Sequence, residues 1–186
     1  MNNFEIQNCL DSMVILCDTR EQDTDRARSR YARFGVPYKR HTLDFGDYTY
    51  NFMLPNKTWL YEANTSVKGD VIVERKMNLD ELAGCFTRER KRFEAEFERA
   101  KENGSKIYLL VENATWENLL NGRYRSRFIP KAFKASILAW SIRYNMQIIF
   151  CKAETSGELI KEILYRELKE RLERGQYDEK VNVGCD

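Results

Sequence analysis

Short apolar runs of strand length alternate along the chain with segments of helical period. Residues 13–17 and 71–73 are uninterrupted apolar runs, which are typical of buried central strands. Aromatic and β-branched residues with partial alternation predict further strands at 37–43, 46–54, 106–112 and 147–151. A turn at 55–57 predicts that residues 58–63 pair back on the preceding strand as a hairpin.

Apolar residues at helical spacing predict the helices between these strands. Phe86, Phe93, Phe97 and Ala100 fall on one stripe of a helix that starts near residue 88. Further helices are expected at about 23–34, 78–84, 116–120 and 131–145, with a last one from 155 onward.

The order of these elements predicts one α/β domain over residues 1–186, with a central mixed sheet flanked by helices. Thr155 and Glu158 have the spacing of a capping box, which would begin the last helix. We expect the core to span about 13–174 and residues 175–186 to form a loose tail.

Composition restricts the possible functions only in part. Of the 186 residues, 42% are hydrophobic and 32% are charged, but the net charge is only +2, so any nucleic-acid surface must be local. Five widely spaced cysteines predict neither a disulfide framework nor a zinc site. Without a signal-like or membrane-length apolar segment, we expect a cytoplasmic protein that does not enter a membrane.

Acidic residues are placed where several predicted strands begin or end. The segment from Asp18 to Glu21 ends the first strand, and Asp44 and Asp47 flank Gly46 near the start of another. Glu74 and Lys76 follow the apolar run at 71–73, and Asp80 lies one helical turn further on. Because groups at strand ends can converge in an α/β sheet, these side chains are candidates for one site.

Such a site suits the hydrolysis of a phosphodiester. A divalent metal held by two or three carboxylates lowers the pKa of bound water and neutralises charge at phosphorus. Glu74 and Lys76 point to the same face of an extended strand, and Arg75 points to the other face. A Glu-x-Lys sequence after an apolar strand, with an earlier aspartate, is the pattern of restriction-type nuclease sites.

These motifs resemble those of the XPF-type structure-specific endonucleases, which include the archaeal Hef nuclease domain. The family signature is Gly-Asp followed, after a variable gap, by Glu-Arg-Lys-x-x-x-Asp, and it matches Gly46-Asp47 and the segment from Glu74 to Asp80. The Asp-x-Arg-Glu element that begins the family's domain is present from Asp18 to Glu21, and the resemblance covers roughly residues 13–152.

The resemblance implies a restriction-endonuclease-like three-layer fold and a DNA endonuclease that requires Mg²⁺ or Mn²⁺. It implies action on branched, flap or fork DNA in repair or recombination, and it makes a homodimer through this domain plausible. A small nuclease domain of this family that stands alone would suit a bacterial or phage genome. The predicted hairpin at 51–63 departs from the family, because it lengthens the gap between Asp47 and Glu74.

Carried over position by position, the resemblance assigns roles to individual residues. Asp47 and Glu74 would bind the metal, and Lys76 would lie beside the attacking water. Asp18 would complete the acidic cluster, for a second metal. The remaining residues would hold the site together by ion pairs or touch the scissile phosphate, and they are Arg20, Glu21, Arg75 and Asp80. For Asp80, a role as the N-terminal cap of its helix is an equal alternative.

Two basic stretches are candidates for contact with DNA, although either could be a solvated surface. Arg88, Arg90 and Arg92 begin the long helix after the motif. Arg123, Arg125, Arg127, Lys131 and Lys134 are interleaved with aromatic residues, which suits phosphate contact with stacking. Two other functions remain open: a non-catalytic scaffold that binds DNA or a partner, and a restriction-type enzyme that cuts duplex at a specific sequence.

Overall fold

Helices and strands alternate through residues 1–182, which are the part of the chain that the computed structural model describes. The helices are α1 (Asn3–Asp11), α2 (Asp25–Tyr31), α3 (Leu79–Phe86), α4 (Arg90–Glu102), α5 (Trp116–Leu120), α6 (Pro130–Arg143), α7 (Ala153–Glu173) and α8 (Asp178–Asn182). The strands are β1 (Val14–Asp18), β2 (Tyr38–His41), β3 (Tyr48–Asn51), β4 (Val71–Lys76), β5 (Lys106–Glu112) and β6 (Met146–Cys151).

The six strands form one mixed sheet in the order β2-β1-β3-β4-β5-β6. β3 runs antiparallel to both of its neighbours, and all the other pairs are parallel. The start of β3 therefore lies at the same edge of the sheet as the carboxyl ends of β1, β4 and β5. The predicted mixed sheet is confirmed.

Helices cover both faces of the sheet, so the predicted three-layer architecture is also confirmed. On one face α1, α2 and α7 pack over a core that includes Ile15, Tyr50 and Leu164. On the other face α3, α4 and α6 pack over a second core that includes Ile72 and Leu109. The residues of the predicted stripe are all buried in this second core, but Phe86 ends α3 whereas Phe93, Phe97 and Ala100 lie on α4.

The predicted hairpin at 58–63 forms only in part, and no regular strand forms there. Its pairing with the preceding segment is limited to an isolated bridge between Met53 and Trp59 and a few backbone hydrogen bonds. The side chain of Asn51 accepts from the amide of Tyr61 at 3.1 Å and donates to its carbonyl at 3.0 Å, so a side chain replaces the backbone ladder. Tyr61 and Val67 instead pack on Leu16 of the sheet, beside Leu43.

Both ends of the chain differ from the prediction. The sequence analysis missed α1, which begins with a capping box formed by Asn2 and Glu5. The predicted capping box at Thr155 does not form, because α7 starts at Ala153 and the Thr155 hydroxyl donates to the carbonyl of Lys152 at 3.1 Å.

The predicted loose tail is ordered as far as residue 182. Tyr177 is buried, its hydroxyl donates to Asp70 at 2.8 Å and pairs with that of Tyr50 at 2.6 Å, and α8 follows. The last residues of the predicted tail, 183–186, lie outside the described part. Across residues 1–182, no helix combines the length and the apolar character that crossing a bilayer demands.

Candidate active site

Four carboxylates meet at one edge of the sheet because of the strand directions. Asp18, Glu74 and Glu112 lie at or near the carboxyl ends of β1, β4 and β5. Asp47 comes just before the antiparallel β3, and its backbone joins both neighbouring strands. The amide of Asp18 donates to the Asp47 carbonyl at 2.9 Å, and the Asp47 amide donates to Val73 at 3.0 Å.

Asp18, Asp47 and Glu74 line an open cleft of about 770 Å³, called here the active-site cleft, and Glu112 lies behind it. The predicted catalytic residues that line it are Asp18, Arg20, Glu21, Asp47, Glu74, Arg75 and Lys76. Asp80 does not line it. Gly46 helps to present Asp47, since it has a φ of +75° and a Cβ there would lie 3.0 Å from that of Ile72.

Asp47, Glu74 and Lys76 form the centre of the cleft. One oxygen of Asp47 accepts a hydrogen bond from the backbone amide of Arg75 at 2.7 Å. The ammonium of Lys76 donates to Glu74 at 2.5 Å, as expected for two side chains on the same face of β4. Glu74 is buried, whereas Asp47 and Lys76 are half-buried and reach the cleft.

Burial and mutual repulsion disfavour two negative charges on the carboxylates of this centre. Burial and the nearby Glu74 carboxylate raise the pKa of Asp47 to about 7. Burial also raises the pKa of Glu74, although Lys76 opposes the shift. Burial acts to lower the pKa of Lys76, but the carboxylates of Glu74 and Asp47 outweigh it and raise that pKa. A further cation would relieve this repulsion.

The donor set suits a hard divalent cation. Mg²⁺ prefers oxygen ligands and commonly takes one or two protein carboxylates, with waters and substrate phosphate completing the shell. Asp47 and Glu74 supply such a pair. Among residues 1–182 no group of three or more carboxylate, histidine or cysteine side chains is placed to share one metal ion.

Asp18 is engaged by a neighbour rather than directed freely into the cleft. It is buried, and it accepts hydrogen bonds from the Arg20 side chain at 2.5 Å and from the Arg20 amide at 3.1 Å. Arg20 also donates to the carbonyl of Leu43 at 3.0 Å. The predicted use of Asp18 for a second metal would therefore require Asp18 to give up part of this pairing.

A buried ionic network lies behind the cleft. Arg75 points away from Lys76, and its guanidinium lies 3.2 Å from Glu112 and 3.6 Å from Glu21. Arg30 bridges the same two carboxylates, at 2.7 Å from Glu21 and 3.1 Å from Glu112. The hydroxyl of Tyr48 completes the set by donating to Glu21 at 2.5 Å. Glu21 and Arg75 are thus both members of this ion-pair network.

Asp80 is not the cap of its helix and does not reach the active-site cleft. The cap of α3 is Asn78, whose side chain accepts from the amide of Glu81 at 2.9 Å, so the helix-cap alternative is wrong. Asp80 instead accepts from the backbone amides of Arg125 and Ser126, both at 2.7 Å. It lines a separate cavity beside α3, not the active-site cleft.

The predicted DNA-binding residues are spread over the surface. Arg92 lines the active-site cleft. Arg88, Arg125 and Arg127 line the separate cavity. The others are exposed without lining either one, and they are Arg90, Arg123, Lys131 and Lys134.

The sequence analysis missed several residues of the site. Glu112 ends the apolar strand β5, so the signal that identified Glu74 could also have found it. Arg30 lies within a helix of ordinary polar pattern and gave no signal. The same holds for Glu96 of α4, which lines the cleft and accepts from the Gly46 amide at 2.9 Å.

Comparisons with known proteins agree with this geometry. XPF from Aeropyrum pernix is similar to the chain, with a TM-score of 0.56 and 19% identity over 83% of this chain. XPF from Aeropyrum pernix in complex with DNA is similar with a TM-score of 0.57 and 20% identity over 86%. The chain spans 61% and 66% of the lengths of these two matched chains. At this identity the similarity shows the fold.

A family model accounts for most of the sequence. Residues 17–163 match the ERCC4 domain, so all the motifs from Arg20 to Asp80 lie inside the match. No curated protein matches the chain. The resemblance to XPF-type nucleases is confirmed at the level of the family, and the chain belongs to the ERCC4 domain family.

Proposed function

We propose that this chain is a divalent-metal-dependent endonuclease that hydrolyses phosphodiester bonds in DNA. The observation that supports it best is the placing of Asp47 and Glu74 beside Lys76 in an open cleft. Membership of the ERCC4 domain family and the similarity to XPF in complex with DNA support the same proposal. A single nuclease domain is part of it.

Asp47, Glu74 and Lys76 would each have a distinct role in the proposed hydrolysis. Asp47 and Glu74 would hold Mg²⁺ or Mn²⁺, with Asp18 as a further carboxylate. The bound metal would supply an acidified water and charge neutralisation at phosphorus. Lys76, bound to Glu74 at 2.5 Å, would orient the attacking water by donating a hydrogen bond. The Arg75 amide keeps Asp47 directed into the cleft.

Basic residues around the cleft would bind the DNA backbone. Arg20 and Arg92 line the cleft itself and would contact phosphates close to the cut bond. The other proposed contacts are Arg88, Arg90, Arg123, Arg125, Arg127, Lys131 and Lys134. The resemblance to XPF-type enzymes favours branched, flap or fork substrates over linear duplex.

A homodimer is the remaining part of the proposal. Leu138 and Ile142, one helical turn apart on α6, are 47% and 85% exposed, and Ile129 just before the helix is 67% exposed. An apolar surface of this kind on a charged protein is typical of protein interfaces. A second copy of the chain is the proposed occupant.

Cleavage assays with isosteric variants test the proposed activity. Labelled flap, fork, junction and linear duplex DNA would be incubated with Mg²⁺, Mn²⁺ or EDTA. Asp47→Asn and Glu74→Gln remove a charge with little change of shape, so each should lower the cleavage rate at least about 100-fold while DNA binding remains. Glu158→Gln, at an exposed position on α7, is the matched control and should cut normally.

The outcomes separate the alternatives. Cleavage that survives both substitutions, or that continues in EDTA, would rule out the proposed centre. DNA binding without metal-dependent cutting would favour the scaffold. Cutting confined to one linear sequence would favour the restriction-type enzyme.

A further inference from the structure

A cavity separate from the active-site cleft lies beside α3 and is strongly basic. It has a volume of about 800 Å³ and is lined by Arg88 from the turn between α3 and α4 and by Arg125 and Arg127 from the segment 123–128. The acidic residue in its wall is Asp80. We name this cavity the loop cleft and the segment 123–128 the basic loop.

The carboxylate of Asp80 is already occupied by the basic loop. One of its oxygens accepts the successive backbone amides of Arg125 and Ser126 at 2.7 Å each. The other lies 3.5 Å from the guanidinium of Arg125, which is 92% exposed. Two amides and a guanidinium share the single negative charge of Asp80. Since three arginines line the loop cleft with this one aspartate, the net charge of the cleft is positive.

The basic loop is held at several further points. The hydroxyl of Tyr124 donates to the carbonyl of Phe128 at 2.7 Å, and the amide of Phe128 donates to Ser126 at 3.2 Å. The rings of Tyr124 and Phe128 pack on Phe133 of α6 at 5.5 Å and 5.0 Å. The loop is therefore fixed in shape rather than a solvated connection.

The arginines that face the loop cleft are available to an anion. Within residues 1–182, Arg88 and Arg127 have neither a carboxylate nor a hydrogen-bond partner. Guanidinium groups on a fixed loop suit the oxygens of a phosphate, which they bind with directed hydrogen bonds. Asp80 is the fourth residue after Lys76 and lies in the first turn of α3, so one wall of the loop cleft follows β4 directly along the chain.

We propose that the loop cleft binds a backbone phosphate of the DNA near the bond that is cut. Asp80 is then a positioning residue: its carboxylate holds the basic loop, and the loop presents Arg125 and Arg127 beside Arg88. The last aspartate of the Glu74–Asp80 motif thereby couples the catalytic strand to DNA binding. This inference rests on the proposed function and extends it.

Two substitutions of Asp80 separate positioning from catalysis. Asparagine keeps the oxygen that accepts both amides, whereas alanine removes it. DNA affinity would be measured in EDTA, so that binding is scored without cutting, and the single-turnover rate would be measured at saturating DNA with Mg²⁺. Arg127→Gln tests the cleft directly, and Arg166→Gln, on the exposed surface of α7, is the matched control.

For Asp80→Ala we expect a Kd at least about 5-fold higher, and for Asp80→Asn a Kd within about 2-fold of wild type. Arg127→Gln should weaken binding and reduce the slope of log Kd against log salt by about 1, whereas Arg166→Gln should change neither. Limited trypsin digestion should cut the basic loop faster in Asp80→Ala, which reports its release independently of DNA.

Saturating DNA should restore the cleavage rate of both Asp80 variants to within about 3-fold of wild type. If Asp80→Asn abolished cleavage at saturation, Asp80 would act in the chemistry and the positioning role would be overturned. Unchanged DNA affinity in both Asp80→Ala and Arg127→Gln would overturn the proposal that the loop cleft binds DNA. If the wild type bound DNA without cutting it, the proposed catalysis would fail and these binding comparisons would still decide the inference; no DNA binding would overturn both.

Discussion

At the scale of single residues, burial beside Glu74 makes the charged form of Asp47 unfavourable. Its carboxylate lies close to Glu74, and the cations nearest to this pair are Lys76 and the engaged Arg75. Burial and Glu74 raise the pKa of Asp47 to about 7, which is above its ordinary value of 3.8. The ionised form of Asp47 is therefore disfavoured in the folded protein relative to the unfolded chain.

The replacement Asp47→Asn should stabilise the metal-free protein at alkaline pH. A folded-state pKa above the unfolded one contributes stability at low pH, and that contribution is lost as the pH rises through about 7. The neutral asparagine avoids this loss. We expect the variant to gain about 1 kcal/mol or more over wild type at pH 8, and markedly less at pH 4.5.

Urea unfolding in EDTA at the two pH values measures this difference. Adding Mg²⁺ at pH 8 should stabilise the wild type more than the variant, because the variant lacks one proposed ligand. An equal or lower stability of Asp47→Asn at pH 8 would contradict the prediction.

Residue types and spacing predicted the centre of the site but not its surroundings. Asp47, Glu74 and Lys76 could be identified because each lies where an apolar strand begins or ends. Asp80 could not be interpreted from sequence, because its partner Arg125 is 45 residues away along the chain. The role of Arg30 likewise depends on Glu112, which is 82 residues distant.

At the scale of elements, α7 and α2 approach closely at Gly157. A Cβ at this position would lie 2.4 Å from the carbonyl oxygen of Arg30 and 2.9 Å from the Cβ of Arg33. By helix propensity alone, alanine would be the better residue within α7. Close packing against α2 therefore outweighs propensity, and it fixes the helix that carries Arg30.

We expect Gly157→Ala to destabilise the protein by about 1–3 kcal/mol, because α2 must shift away from α7. The shift would loosen Arg30 from Glu21 and Glu112, so the cleavage rate at a permissive temperature should fall as well. Thermal unfolding and cleavage of the preferred DNA measure the two effects. Glu158→Ala changes the next, exposed position of α7 and is the control. Unchanged stability in Gly157→Ala would show that the contact tolerates a methyl group.

Most helices and strands at the scale of elements were predicted from the sequence. The prediction of regular strand pairing failed at 58–63, where side-chain hydrogen bonds replace backbone pairing. The strands β1, β4, β5 and β6 have clear apolar runs, and each was expected within a few residues of its place. The hairpin at 58–63 had the pattern of a strand, but Asn51 took the hydrogen bonds that a ladder would have used. The residue pattern of one segment cannot show that a side chain from another segment takes the place of backbone hydrogen bonds.

At the scale of the whole molecule, the direction of β3 decides which aspartate joins the site. The sequence contains two Gly-Asp pairs, at Asp47 and at Asp70. Because β3 is antiparallel, its start lies beside the end of β4, and Asp47 reaches Arg75. Asp70 precedes β4 at the opposite edge, where it accepts from Tyr177. The sheet topology thus gives a physical reason for matching the family's Gly-Asp to Asp47 and not to Asp70.

The proposed dimer is a property of the molecule rather than of one site. The exposed apolar side chains of α6 lie next to the edge strand β6, whose outer edge is unpaired in the described sheet. Burying Ile142 and Leu138 against a second copy would remove apolar surface from water at about 25 cal/mol per Å². The wild type should therefore sediment as a dimer at micromolar concentration.

The replacement Ile142→Lys should convert this dimer to a monomer, because an ammonium in the apolar contact would lose its hydration. Phe4→Lys is the matched control, since Phe4 is 75% exposed on α1, which packs on the other face of the sheet. Sedimentation velocity over a hundredfold range of concentration would report the change for both variants. A wild type that stays monomeric throughout, or an equal effect of the two lysines, would exclude α6 as the dimer surface. An unchanged melting temperature of Ile142→Lys at low concentration would show that the loss arises from association and not from unfolding.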